Sequence, residues 1–239
     1  MQQSSAAIVL SRLKYKDSDL IVKCFTKDFG IKSYIIKGVL KSKKRRITPA
    51  YFQALSILEI QAHYKNNRTL HYINDIKVKQ HYKSVYTNVI KSTVAIFLSE
   101  ILNDLLVEET PNLELYNFIE TTLIWFDEND SYSYFHYVFL IELTKYLGFY
   151  PELSNIDSQY FNLLDGRFSN QKPHNYYIDG ENLTLLKTLL GIKFDRNKTF
   201  VINANQRQEF LDMILSYFKL HLEGFKTPKS LAVMNQVFR

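Results

Sequence analysis

"DLIVKCFTKDFGIKSYIIKG", residues 19–38, decides the fold class. Two runs rich in Ile, Val, Tyr and Thr flank the turn residues Asp28, Phe29 and Gly30. Branched and aromatic side chains suit a pleated surface, and a glycine supplies the open backbone of a hairpin turn. In the second run Ile31, Ser33 and Ile35 share one face, and Lys32, Tyr34 and Ile36 share the other. That alternation is the two-residue period of a strand.

Three further runs of the same kind surround this pair: "AAIVLSRLKY" (6–15), "QALSILEIQAHY" (53–64) and "TLHYINDIKVKQ" (69–80). Residues 16–18, a basic loop and residues 65–68 separate them. Five short strands are too few for a sandwich. They suit a small closed barrel of the OB type, which removes sheet edges. After Gln80 the period lengthens. Val85, Val89, Ile90, Val94, Phe97, Leu98, Ile101 and Leu105 recur at three and four, which is helical. A second helix is expected from an N-cap at Thr110 with Pro111 first inside it. A third spans 133–147 and stops at Gly148, with Pro151 beyond. Residues 150–180 carry two Asp-Gly turn signals and read as a cysteine-free hairpin or loop excursion. Helical patterning returns at 181–190 and 206–222, and the tail "KTPKSLAVMNQVFR" has room for a last turn or two. The expectation is an α+β chain: an OB-fold nucleic-acid-binding domain over 1–80, then an α-helical domain over 81–239.

Charge divides the chain at the same place. Residues 1–80 hold 16 Lys and Arg against 5 Asp and Glu, whereas residues 81–239 hold 14 against 19. A basic module favours a polyanion, most often nucleic acid. The single cysteine, Cys24, excludes an intramolecular disulfide framework and a cysteine-cluster metal site, and it fits a reducing compartment. No apolar run approaches the roughly 18 residues of a membrane span, and the N-terminus lacks a signal-peptide pattern. A cytoplasmic protein is expected.

Catalytic signatures are weak. "KDFG" at 27–30 matches a kinase tripeptide, but the Gly-rich loop and catalytic-loop residues are missing, and Gly30 serves more simply as a turn. The six histidines form neither HxxxH nor HExxH, and no GxSxG, SxxK or phosphate loop occurs. The acidic run 127–130 reads as a solvated turn at a helix end. No enzyme, metal or cofactor is expected.

The basic loop remains. Lys37 is followed by Lys41, Lys43, Lys44, Arg45 and Arg46, with Tyr51 and Phe52 just beyond. A cationic loop is often only a solvated one. Here Arg12, Lys14, Lys16, Lys23, Lys27 and Lys32 add to it on the same module. Cations draw phosphates in, and aromatic faces accept any base. Tyr34, Tyr51 and Phe52 are the candidate stacking residues, with core packing the better expectation for Phe52. The competing class is an adaptor whose barrel binds an acidic partner segment.

"LIVKCFTKDFGIKSYIIKGVLKSKKRR" (20–46) followed by "LSILEI" (55–60) resembles the N-terminal domain of the RecO family of bacterial DNA repair and recombination mediators. The shared order is a strand, a turn from Thr26 to Gly30, a strand ending at Lys37 and Gly38, then the basic loop. "FLIELTKYLGFYPEL" (139–153) resembles the family's helix ending at Gly148 and Pro151, and "KTPKSL" (226–231) its basic C-terminal segment. The resemblance implies binding of single- and double-stranded DNA and annealing of complementary strands, without bond chemistry. It implies work with RecR, in many bacteria RecF, and contact with single-stranded-DNA-binding protein so that RecA can load, in the cytoplasm at the nucleoid. By position, Lys37, Lys41, Lys43, Lys44, Arg45 and Arg46 would touch DNA, with Lys32, Tyr34, Arg12 and Lys14 beside them. Lys226 and Lys229 are candidate cations for the tail of the single-strand-binding protein. Many members of the family carry two Cys-x-x-Cys pairs after the Gly148 helix, forming a zinc site. Residues 150–180 hold no cysteine, so no zinc is expected, and Tyr160, Phe161, Phe168, Tyr176 and Tyr177 are expected to hold the excursion by packing.

Overall fold

The structure, a computed structural model, describes residues 2–41, 47–64, 68–108, 110–130, 133–191 and 202–238. Lys43, Lys44, Arg45 and Arg46 lie outside the described residues.

Five strands form a closed barrel: β1 (Gln2–Tyr15), β2 (Asp19–Thr26), β3 (Gly30–Ile36), β4 (Ile57–His63) and β5 (Leu70–Val78). Their order around the barrel is β1-β2-β3-β5-β4, closed by β1 against β4. Only the β3–β5 pair is parallel, and this is the OB arrangement. The expected strand runs all appear. The barrel is filled by Ala7, Val9, Leu20, Val22, Cys24, Tyr34, Ile36, Leu58, Ile60, Ala62 and Ile76. Phe52, on a 3₁₀ turn (Pro49–Phe52), joins that core with no exposed surface. Core packing is therefore its role.

A bulge between Val9 and Ser11 bends β1. The helix α1 (Val89–Leu105) docks there, with Ser99 Oγ donating to the Leu10 carbonyl at 2.5 Å. Its cap is Asn88, whose side chain accepts from the Ile90 and Lys91 N–H groups. Residues 83–85, read from the sequence as the start of that helix, are instead gathered by one carboxylate. Asp127, near the end of α2 (Leu113–Glu128), accepts the N–H groups of Lys83, Ser84 and Val85 at 2.8–3.1 Å. Burial raises the Asp127 pKa, but these donors outweigh it and hold the carboxyl below its ordinary value. Lys91 is buried beside it and donates to Ser84 Oγ and the Asp127 carbonyl. The cap expected at Thr110 is found at Asn112, whose side chain accepts the Leu115 N–H at 3.0 Å. Asn is the stronger N-cap of the two.

The chain separates into two compact units, Met1–Glu128 with Pro228–Met234, and Asn129–Thr227 with Asn235–Arg239. In the first, Glu100 of α1 accepts the N–H groups of Lys229 and Ser230 and the Ser230 hydroxyl, which fixes the returning C-terminal segment. In the second, α3 (Phe135–Leu147) ends at Gly148 in the left-handed conformation (φ 85°). It lies against α5 (Ala204–His221) through Tyr137 and Phe210. The excursion is a small antiparallel sheet of β6 (Tyr160–Asn162), β7 (Arg167–Ser169) and β8 (Tyr177–Ile178), ordered β7-β6-β8 and followed by α4 (Gly180–Leu189). Phe161 meets Phe168 and Tyr217, and Tyr160 meets Tyr177 edge-on. Tyr176 departs from the expectation: it is exposed on a positive-φ turn. His136 is buried against the rings of Tyr137 and Phe238, and burial first, then the Arg207 charge, pushes its pKa down to about 3. A last short helix, α6 (Leu231–Val237), occupies the tail.

Candidate nucleic-acid interface

The β1–β2 hairpin runs past the mouth of the barrel, leaving residues 12–17 exposed. It is pinned to the start of the β3–β4 connection. Leu40 N–H donates to the Ser18 carbonyl (2.9 Å), Gly38 N–H to Asp19 Oδ1 (2.7 Å), and Arg12 to the Pro49 carbonyl (3.1 Å). Gly38 adopts φ 64°, which lets the chain turn sharply there. These bonds bring Arg12, Lys14, Lys16, Lys37 and Lys41 to one end of the barrel, all exposed. Lys16 sits 5.4 Å over the Tyr15 ring and Lys37 sits 5.0 Å over the Tyr72 ring.

Other expected site residues fall elsewhere. Lys32 pairs in register with Cys24, at the opposite end of β3. Five residues along a strand place it about 16 Å from Lys37. Lys23 is half-buried and donates to the Asn103 carbonyl at 2.7 Å. Burial, offset in part by Asp104, lowers its pKa. Tyr34 is corrected outright. It has no exposed surface, and its hydroxyl lies 2.7 Å from that of Tyr64 inside the barrel. The face of β3 that carries Tyr34 and Ile36 is the barrel interior, so Tyr34 meets no base. Tyr51 is partly buried against the same core.

The outward face of β2 and β3, where OB folds hold single strands, is partly covered. Phe25 packs on Tyr116 of α2 (5.7 Å), Ile31 N–H donates to the Glu108 carbonyl, and Ser11 and Lys23 bind Asn103 of α1. Tyr15, Tyr72, Leu13 and Leu40 are exposed aromatic and apolar side chains near the cations, at 37%, 42%, 65% and 40%. Sequence reasoning missed them. Tyr72 is marked only by its register opposite Ile35, which no local pattern reveals. Among the described residues no group of His, Cys, Asp and Glu could hold a metal ion, and no helix is long and apolar enough to cross a membrane.

Barrel order, bulge and appended helices define the class: OB-barrel proteins with an α-helical second region. Residues 1–82 match the family description "Recombination protein O N terminal", and residues 86–231 match "Recombination protein O C terminal". Relatives called DNA repair protein RecO, from Flavobacterium psychrophilum and Flavobacterium johnsoniae, are 42% and 43% identical over the full length of both chains. One from Bacteroides fragilis is 33% identical, again over the full length of both. The chain belongs to the RecO family of DNA repair and recombination proteins.

Proposed function

We propose that this chain is a non-enzymatic recombination mediator that binds DNA at the basic end of its barrel and anneals complementary strands. The observation that carries the proposal is the meeting of Arg12, Lys14, Lys16, Lys37 and Lys41 from two separate segments at one barrel mouth. Lys43, Lys44, Arg45 and Arg46 follow Lys41 in the sequence. The mechanism is electrostatic. Each annealing strand repels its complement, and a cation cluster that neutralises phosphates of both lowers that repulsion and releases counterions. The barrel of residues 1–80 is the DNA-binding module in this reading, and the helical residues 81–239 carry docking surfaces for RecR and for the tail of single-stranded-DNA-binding protein, so that RecA loads. Lys226 and Lys229 are exposed there.

Annealing of two labelled complementary oligonucleotides, bare and coated with single-strand-binding protein, tests this. The wild-type chain accelerates pairing in both. Charge reversal of Lys41, Lys43, Lys44 and Arg45 abolishes it. Undiminished annealing by that variant would remove the basic end from the mechanism.

A further inference from the structure

The cations at the barrel mouth attract duplex and single strand alike, so they say nothing about which form is preferred. A row of side chains beside them does. Register places Leu13 opposite Ile21, Ile21 opposite Ile35, and Ile35 opposite Tyr72. Residues directly opposite in a sheet point to the same side. Ile35 lies on the outward face of β3, since Tyr34 and Ile36 point inward. The whole row therefore faces outward, across four adjacent strands.

Its two neighbouring rows differ. On one side lie Ser11, Lys23, Ser33 and Leu70, where Asn103 binds Ser11 and Lys23. On the other lie Tyr15 and Asp19, paired in register, and then Lys37. The apolar row is thus the first one beyond the reach of α1. Leu13 and Tyr72 stand exposed at its ends, Ile21 is half-exposed, and Ile35 floors it. Three inter-strand steps make it about 14 Å wide.

We infer that the row Leu13–Ile21–Ile35–Tyr72, with Tyr15 beside it, is a stacking strip for unpaired bases, and that it makes the site prefer single-stranded over duplex DNA. The inference rests on the reading that the barrel mouth binds DNA. Charge complementarity selects the occupant. Lys37 lies over the Tyr72 ring and Lys16 over the Tyr15 ring, so each exposed ring carries a cation that a phosphate draws off its face as a base stacks there. Arg12 and Lys14, opposite the core residues Val22 and Leu20, point to the other side of the sheet, so Lys16 and Lys37 are the cations on the strip's own face. An apolar protein segment would leave these cations unused, and a polyanion with free π-faces uses both. A duplex hides its base faces within the stack and reaches only the cations.

The test uses the full chain, a labelled oligo-thymidine and a duplex of equal length, at one fixed salt concentration. Tyr72→Ala lowers single-strand affinity about tenfold or more, as loss of one stacked base does. Duplex affinity and the salt slope stay within error, and Tyr72→Phe recovers most of the loss. Leu13→Ala shifts the same ratio in the same direction. Equal loss on both DNA forms, or no loss on the single strand, overturns the strip. Lys14→Glu, Lys37→Glu and Lys41→Glu together separate the two ideas. If that variant loses both DNA forms while Tyr72→Ala loses neither, the strip fails and the mouth stands. If it loses nothing, both fail. Photocrosslinking of an iodouracil-substituted strand to the wild-type chain needs no variant. Adducts are expected at Tyr72 or Tyr15, and adducts confined to other segments overturn the inference.

Discussion

Removing Lys14, Lys16, Lys37 and Lys41 as charges, by Gln at each, measures how much of DNA affinity the barrel mouth supplies. Arg12 is left in place because it also holds the Pro49 carbonyl. Each neutralised phosphate steepens the log–log salt dependence by about 0.7 for a single strand and about 0.9 for duplex. The four cations therefore account for about 2.8 units of slope on single strands and about 3.6 on duplex. From about 50 to 200 mM salt, the loss of single-strand affinity should then be smaller by about fifty-fold in the variant than in the wild type. Anisotropy titrations at four or five salt concentrations read this directly. Lys27→Gln with Lys32→Gln is the matched control. Lys32 lies about 16 Å down β3 from Lys37, and Lys27 lies beyond the far end of β2. That control retains the wild-type slope. An unchanged slope in the fourfold variant, or an equal change in the control, would refute the placement of the interface.

Three other outcomes follow from the packing. Tyr34→Phe should cost about 0.5–1.5 kcal/mol of stability by removing the hydroxyl pair with Tyr64, and Tyr34→Ala about 3–5 kcal/mol by opening a cavity in the barrel. In urea melts both should move while the DNA affinity of the folded Phe variant does not; weakened binding by that variant would put Tyr34 back at the interface. His136, held neutral with its pKa near 3, binds a proton in the unfolded chain below about pH 6.5 that the folded chain refuses. Stability is therefore full above that pH and falls as pH drops toward 3, by at most about 1.4 kcal/mol per pH unit from this group. His136→Phe should flatten the fall by one proton, and identical urea midpoints against pH in both chains would show that His136 is not its source. Gly166 has φ 66°, and an added Cβ would lie 2.7 Å from the Tyr217 hydroxyl, which itself donates to the Phe149 carbonyl. Gly166→Ala should destabilise the second unit by about 1–3 kcal/mol, checked by loss of hydrogen-exchange protection across residues 160–178.

The barrel could be read from alternation, turn residues and strand count because each strand carries its own period. The inward face of β3 could not. Ile31 and Ile35 are as apolar as Tyr34 and Ile36: the approach to α2 covers Ile31, and Ile35 floors the outward apolar row. A strand apolar on both faces loses the polar half of its pattern, so nothing local shows that Tyr34 points into the barrel. The excursion at 150–180 was visible only as turns, because strands of two or three residues are too short to show a period. Residues 83–85, ahead of α1, read as helical by spacing, yet Asp127, more than forty positions away, takes their N–H groups.

The helical cover also limits what the barrel can hold. An OB face free along its whole length would grip a single strand through many stacked bases, and stacking of about 1–3 kcal/mol per base would make release slow. Here Asn103 and Tyr116 close the lower part of that face, leaving one apolar row and a dense cationic rim. On the proposed function, most of the binding free energy is then carried by phosphates, which a complementary strand presents equally well. Such a site tolerates the passage from two single strands to one duplex without a large loss of contact. On the proposed function, the short strip favours capture of unpaired strands, and the rim lets the product form and leave as salt and competing DNA exchange with it.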